Sequence, residues 1–201
     1  MIQKGKTNIG LVEYAKAQLG KPYWYGTFGQ KATRSLYNSK MVQYPTYYKA
    51  KDFDEQIDRG EKVHDCIGLI KGYMWCDTPD DPKPVYRKDN VFPDCSADSQ
   101  YNRSKIKGTS MGTLPQVAGV LVFMKGHVGI YIGNGLVIEA RGHAYGVVKT
   151  KLERRPWKRW AYIDEIEYVK EKPKPIVPKP EEPKPQEEKP IIITNTGCHY
   201  I

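Results

Sequence analysis

No stretch of the chain reaches the roughly 18 consecutive apolar residues that a membrane-spanning helix needs. The first ten residues, Met1 to Gly10, also lack the apolar run of a secretory signal. These two absences predict a chain made as a soluble protein in the cytoplasm. Cysteine is scarce: Cys66, Cys76, Cys95 and Cys198 are the only four, and none forms a C-x-x-C pair. That spacing argues against a zinc ribbon and against a dense disulfide scaffold, so free thiols are expected in preference to a Cys76–Cys95 bridge. No internal repeat is present.

What is present is enough for one ordinary domain: 201 residues, 39% of them apolar. After Tyr168 the composition changes. Lys170 to Pro190 holds seven of the fifteen prolines, six Lys and five Glu, with Ile176 and Val177 as its only aliphatic residues. Such a segment cannot build a core and behaves as a semi-rigid extended spacer. The expected organisation is therefore a folded domain over 1–169, a linker over 170–190 and a short tail over 191–201. The spacer contributes only +1 to the net charge of +9, so the folded domain is itself basic. A basic surface attracts polyanions, and nucleic acid, anionic lipid and a teichoic-acid-bearing wall all qualify on charge alone.

Along the domain, Asn8 is placed to cap a helix over 9–19, in which Leu11, Val12, Ala15 and Leu19 recur at helical spacing. Residues 27–64 are polar and tyrosine-rich with no sustained period, and are expected to form an insertion or lid. Asp65 precedes an apolar helical pattern from Cys66 to Met74, which puts Cys66 at a helix N-terminus and gives Gly68 a close-packing role. Residues 79–113 predict loop with short helical turns. From Ala118 the pattern becomes β: 120–124, 127–132, 136–141, 147–152 and 160–169, separated by glycines. Helices first and strands afterwards indicate an α+β architecture, with N-terminal helices packed on an antiparallel sheet.

Three residues can carry chemistry. A thiol at a helix start can be activated by unpaired N–H groups and the dipole, although a buried structural cysteine is the commoner fate and fits Cys66 taken alone. His127 lies on a strand where it shares a face with Gly129 and Tyr131, a face that reads as partly open to substrate. Glu139 is a candidate to hold the His127 ring, and register decides whether it does. A three-residue Gly133-Asn134-Gly135 loop puts Glu139 opposite Gly129 and diagonal to His127; a two-residue Asn134-Gly135 turn points it to the other face. The alternative reading makes Glu139 an edge carboxylate paired with Arg141 or Arg154, with His143 as the competing third residue.

Taken together, Lys21-Pro22-Tyr23-Trp24-Tyr25-Gly26, Asp65-Cys66-Ile67-Gly68-Leu69 and Gly126-His127-Val128-Gly129-Ile130-Tyr131-Ile132-Gly133 resemble the NlpC/P60 cell-wall peptidases. The resemblance covers residues 9–150. It implies a papain-like α+β fold with Cys66 as nucleophile, His127 as base, Glu139 as the orienting residue, and Tyr23 and Asp65 serving the substrate or oxyanion. It implies no metal and no organic cofactor. Three departures stand out: Glu139 where His is most often found, Ile67 where Ser is common, and the long segment between Tyr23 and Cys66. The implied partner is bacterial peptidoglycan, with anionic wall polymers beside it and without nucleic acid. The implied reaction is cleavage of a stem-peptide amide, as an endopeptidase or an N-acetylmuramoyl-L-alanine amidase. A wall hydrolase without a signal peptide, joined to a Pro-rich spacer, resembles a phage or prophage endolysin released through a holin lesion, or a virion-associated lysin. Only 191–201 follow the spacer, far below the roughly 40 residues that fold unaided, so a wall-binding module is absent or this tail pairs elsewhere. A papain-like acyltransferase and an inactive wall-binding module are the alternatives. Trp157 and Trp160 are expected to pack in the core rather than to stack on sugars.

Overall fold

The computed structural model describes residues 1–49, 51–76, 84–87 and 89–170. The linker beyond Lys170 and the tail lie outside them.

A six-stranded antiparallel sheet forms the centre of the domain. Its strands are β3 (Lys107–Gly108), β4 (Leu121–Met124), β5 (His127–Tyr131), β6 (Leu136–Ala140), β7 (Val147–Lys151) and β8 (Arg159–Ala161), in the spatial order β3-β8-β4-β5-β6-β7. Alternation along β5 divides its residues between two cores. Val128 and Ile130 join Leu11, Leu69 and Ile70 under the helices α1 (Asn8–Ala17) and α5 (Gly68–Met74). Tyr131 goes to the other side, with Val122, Val137, Trp157 and Trp160. Both tryptophans are thus core residues. The α+β layering expected from the order of elements is the observed one.

Local differences have local causes. The cap of α1 is Thr7, whose hydroxyl accepts from the Gly10 amide, and not Asn8. Asn8 is turned inward, donating to the carbonyls of Ala118 and Val169 and accepting from the Val169 amide, so it ties the two ends of the domain together. The last strand is only three residues long. Past Ala161 the chain bends, Glu165 pairs with Arg103, and Glu167 bridges in parallel to Thr7. Cys66, Cys76 and Cys95 are free thiols. No helix among the described residues is long and apolar enough to cross a membrane.

The region between Tyr23 and Cys66 is a small folded insertion. It holds β1 (Phe28–Lys31), α2 (Arg34–Gln43), α3 (Pro45–Tyr48), α4 (Asp54–Arg59) and β2 (Lys62–His64). Its core is aromatic: Trp24 is met edge-on by Tyr37, Tyr48 and Phe53 at 5.0 to 6.3 Å, and its indole N–H donates to Gln56. Helices α3 and α4 are too short to show a period, and α2, though as long as α1, buries none of its residues, which is why the sequence pattern is silent there.

At the end of β2, His64 is fully buried and its Nε2 lies 2.9 Å from the Tyr14 hydroxyl. Burial, with Lys62 adding to it, lowers its pKa to about 3. Unfolding releases the ring to its ordinary value near 6.5, so between those values the unfolded chain binds the extra proton and stability rises with pH. The urea midpoint is expected to fall as pH drops below about 6, at up to about 1.4 kcal/mol per pH unit from this residue alone. His64→Gln should flatten that dependence; an unchanged slope would contradict it.

Candidate active site

Cys66 sits at the turn between β2 and α5. Asp65 builds that turn: its carbonyl accepts from the Leu69 amide at 3.0 Å, its Oδ1 from the Gly68 amide at 2.6 Å, and its Oδ2 from the Gly26 amide at 2.9 Å. The regular helix begins at Gly68, so Cys66 stands two residues before it, in a first turn that Asp65 caps. Gly68 is required by close approach, since a Cβ there would lie 1.8 Å from the Thr27 carbonyl oxygen. This is the packing role expected of it.

The Cys66 sulfur is 4.0 Å from the carbonyl oxygen of Gly126, the residue before His127, and the backbone N–H groups of Val128, Ile67 and Cys66 itself face it. Burial first, and the Asp65 carboxylate second, push its thiol up to about 12, beyond what those N–H groups offset. Desolvation is thus the largest influence on this thiol, and the N–H groups of the helix start oppose it. Labelling of Cys66 by iodoacetamide should be slow at pH 7 and rise about tenfold per pH unit to pH 10, as the thiolate fraction does. A fast rate already constant from pH 5 would instead reveal a preformed thiolate–imidazolium pair.

His127 opens β5. Its Nε2 lies 2.7 Å from Oε2 of Glu139, which is completely buried on β6. The register that allows this pairs Ile130 with Ile138 and Tyr131 with Val137, the arrangement of the three-residue loop. Gly133, Asn134 and Gly135 all take positive φ in that loop. Glu139 is held on every side: Thr150 Oγ1 donates to Oε1 at 2.9 Å, and the Arg155 guanidinium donates to both oxygens at 2.9 Å. Burial alone would raise its pKa, but the hydrogen bonds from His127, Arg155 and Thr150 hold it, on balance, below the ordinary carboxylate range. An ionised Glu139 fixes the proton of His127 on Nε2 and leaves Nδ1 as the basic nitrogen.

Two expectations need correction. The arginine on Glu139 is Arg155, not Arg141 or Arg154, and it binds together with His127 rather than instead of it. The face shared by His127, Gly129 and Tyr131 is closed, not open: Trp157 stacks on the His127 ring at 5.7 Å and 13°, and a Cβ on Gly129 would lie 2.9 Å from the same indole. Among the described residues His143 forms no hydrogen bond with His127 or Glu139 and instead meets the Tyr23 backbone. It packs on Phe53 of the insertion, with ring centroids 4.8 Å apart. Tyr23 is buried close enough to Cys66 and Asp65 that, after burial itself, their charges raise its phenol.

Above Cys66 lies a groove of about 720 Å³. Asp65, Cys66, Ile67 and Gly126 line it, together with Leu36 and Lys40 of the insertion helix α2 and the segment 94–97. The groove thus holds the Cys66 thiol, and the chain segment Gly126-His127 that borders it carries an imidazole bonded to a buried carboxylate.

No protein-family model and no curated protein matches the sequence. Solved structures do. The NlpC2 protein of Trichomonas vaginalis aligns over 81% of this chain and 49% of its own, at 17% identity and a TM-score of 0.48. The peptidoglycan hydrolase RipB of Mycobacterium tuberculosis aligns over 80% and 65%, at 19% identity and a TM-score of 0.44. The P60 domain of an antigen from M. avium subspecies paratuberculosis aligns over 79% and 95%, at 21% identity and a TM-score of 0.46. The chain thus spans about half the length of the Trichomonas protein.

Proposed function

We propose that this chain is a thiol hydrolase that cleaves an amide bond in the stem peptide of bacterial peptidoglycan. The observation that carries the reading is the His127 Nε2–Glu139 Oε2 bond of 2.7 Å, one residue beyond Gly126, whose carbonyl the Cys66 sulfur faces and which lines a groove together with Cys66. The choice of wall peptide is supported by the resemblance of the segments around Tyr23, Cys66 and His127 to the NlpC/P60 peptidases.

In this reading, substrate entry turns the thiol from Gly126 toward Nδ1 of His127. The S–H proton passes to Nδ1 as sulfur bonds to the scissile carbonyl carbon, which suits a thiol whose own pKa is too high for a standing thiolate. The oxyanion is received by backbone N–H groups at Cys66 and its neighbours, with Tyr23 beside them. Collapse breaks the C–N bond, and the amine leaves with the proton from His127. Water then attacks the thioester, gives its proton to Nδ1, and releases a carboxylic acid and the free thiol. Asp65 acts by holding the turn that carries Cys66, since both its oxygens are engaged by backbone amides. The basic domain and its Pro-rich spacer support a place among phage or prophage endolysins acting at the wall.

The test is incubation of the protein with purified Gram-positive walls, followed by mass analysis of the soluble products. Release of peptides with new amino and carboxyl ends is expected, and their masses name the bond. Walls left intact across several wall types would overturn the reading.

A further inference from the structure

Lys40 belongs to the insertion helix α2 and lines the same groove as Cys66. Its ammonium donates to the side-chain oxygen of Gln43 at 2.9 Å and lies 5.7 Å from the centre of the Tyr44 ring, which also lines the groove. Among the described residues no carboxylate forms an ion pair with it. The other charges of the groove are already matched. Lys71 Nζ lies 2.5 Å from Asp94, and Asp65 has both oxygens on the amides of Gly26 and Gly68. The groove therefore offers an incoming chain one half-buried cation without a counter-ion, on the insertion rather than on the element that carries the nucleophile. Burial disfavours the charge on Lys40, with Asp65 and Asp94 opposing that effect, and an anion brought beside it would relieve the cost.

We propose that Lys40 receives a free carboxylate on the peptide that occupies this groove, so that the insertion selects acidic over amidated peptides. This inference rests on the hydrolase reading above and deepens it by naming the substrate class. A carboxylate is matched here by one charge-assisted hydrogen bond, whereas a carboxamide of the same shape leaves the ammonium without an ionic partner. Selection comes from this difference and not from the thiol chemistry, so it acts on binding.

The test uses two wall tripeptides, one with a D-isoglutamyl carboxylate and the other with the corresponding carboxamide. Each is titrated calorimetrically into Cys66→Ala protein, which cannot turn them over. The acidic peptide is expected to bind about tenfold more tightly, as one hydrogen bond to a charged group predicts. With Lys40→Met added the two affinities should become equal, and with Lys40→Arg the preference should return. Equal affinities in the Cys66→Ala protein, binding of neither peptide, or a preference that survives Lys40→Met would each overturn the proposal. Cleavage of the same peptides by the wild type is scored separately. A Lys40-dependent preference without any cleavage would retain this inference while removing the hydrolase reading.

Discussion

Glu139→Ala is expected to lower stability by about 3–5 kcal/mol, because it strands the Arg155 guanidinium in a site built around a carboxylate. The residue is fully buried, and three side chains converge on its two oxygens. Glu139→Gln keeps the volume and part of the hydrogen bonding, so a smaller stability loss is expected. Its effect on chemistry should nevertheless be large. An amide cannot hold the proton of His127 on Nε2 as a carboxylate does, and a fall in turnover of about 10²–10⁴ follows from the wrong tautomer and the lost charge. Urea unfolding and initial rates on purified wall measure the two effects separately. The depressed Glu139 pKa adds a pH signature with a definite sign: its stabilisation is present above the ordinary carboxylate value and is lost as pH falls through the folded value. In Glu139→Gln that acid-side loss should shrink. A Glu139→Gln enzyme with wild-type turnover would remove Glu139 from the proposed machinery and leave it a structural partner of Arg155.

His127→Gln is the second large effect. The ring bonds to Glu139 and stacks on Trp157, and a glutamine can still donate to Glu139, so the change in stability is expected to stay within about 1 kcal/mol. Turnover should fall by about 10²–10⁴ or more, since His127 is the proposed acceptor of the Cys66 proton. A thiol whose pKa is pushed up by burial depends on its base more heavily than a standing thiolate would. The variant should therefore recover part of its rate at high pH, where hydroxide competes as the base. Loss of folding in His127→Gln, in place of loss of turnover alone, would show that the ring is chiefly a packing element.

The parts of the site that could be read in advance are those with short-range signals. The β5–β6 loop is the exception: the glycines around Asn134 mark a turn there but leave two- and three-residue forms open, and the positive φ of Gly133 is what gives the form in which Glu139 reaches His127. Asp65 and Gly68 flank Cys66 at the spacing of a capped, closely packed turn. Arg155 was not legible as the Glu139 partner because it sits sixteen residues away in a run of basic residues that reads as a solvated edge. The signal that points to it is chemical: a fully buried carboxylate requires a counter-charge, and Pro156 and Trp157 fold that run back over the sheet. Trp157 likewise explains why the His127 face is closed. The insertion escaped periodicity because its core is a knot of aromatic rings from four short segments rather than the stripe of one long helix.

The most direct test is to quench the protein in acid during reaction with purified peptidoglycan fragments and to record its intact mass, for the wild type and Cys66→Ala in parallel. The account predicts a wild-type adduct equal to the acyl part of a released peptide, mapped to Cys66, together with new free amines in solution, and neither signal from Cys66→Ala. Amine release by Cys66→Ala at the wild-type rate, or no release by either protein, would contradict it.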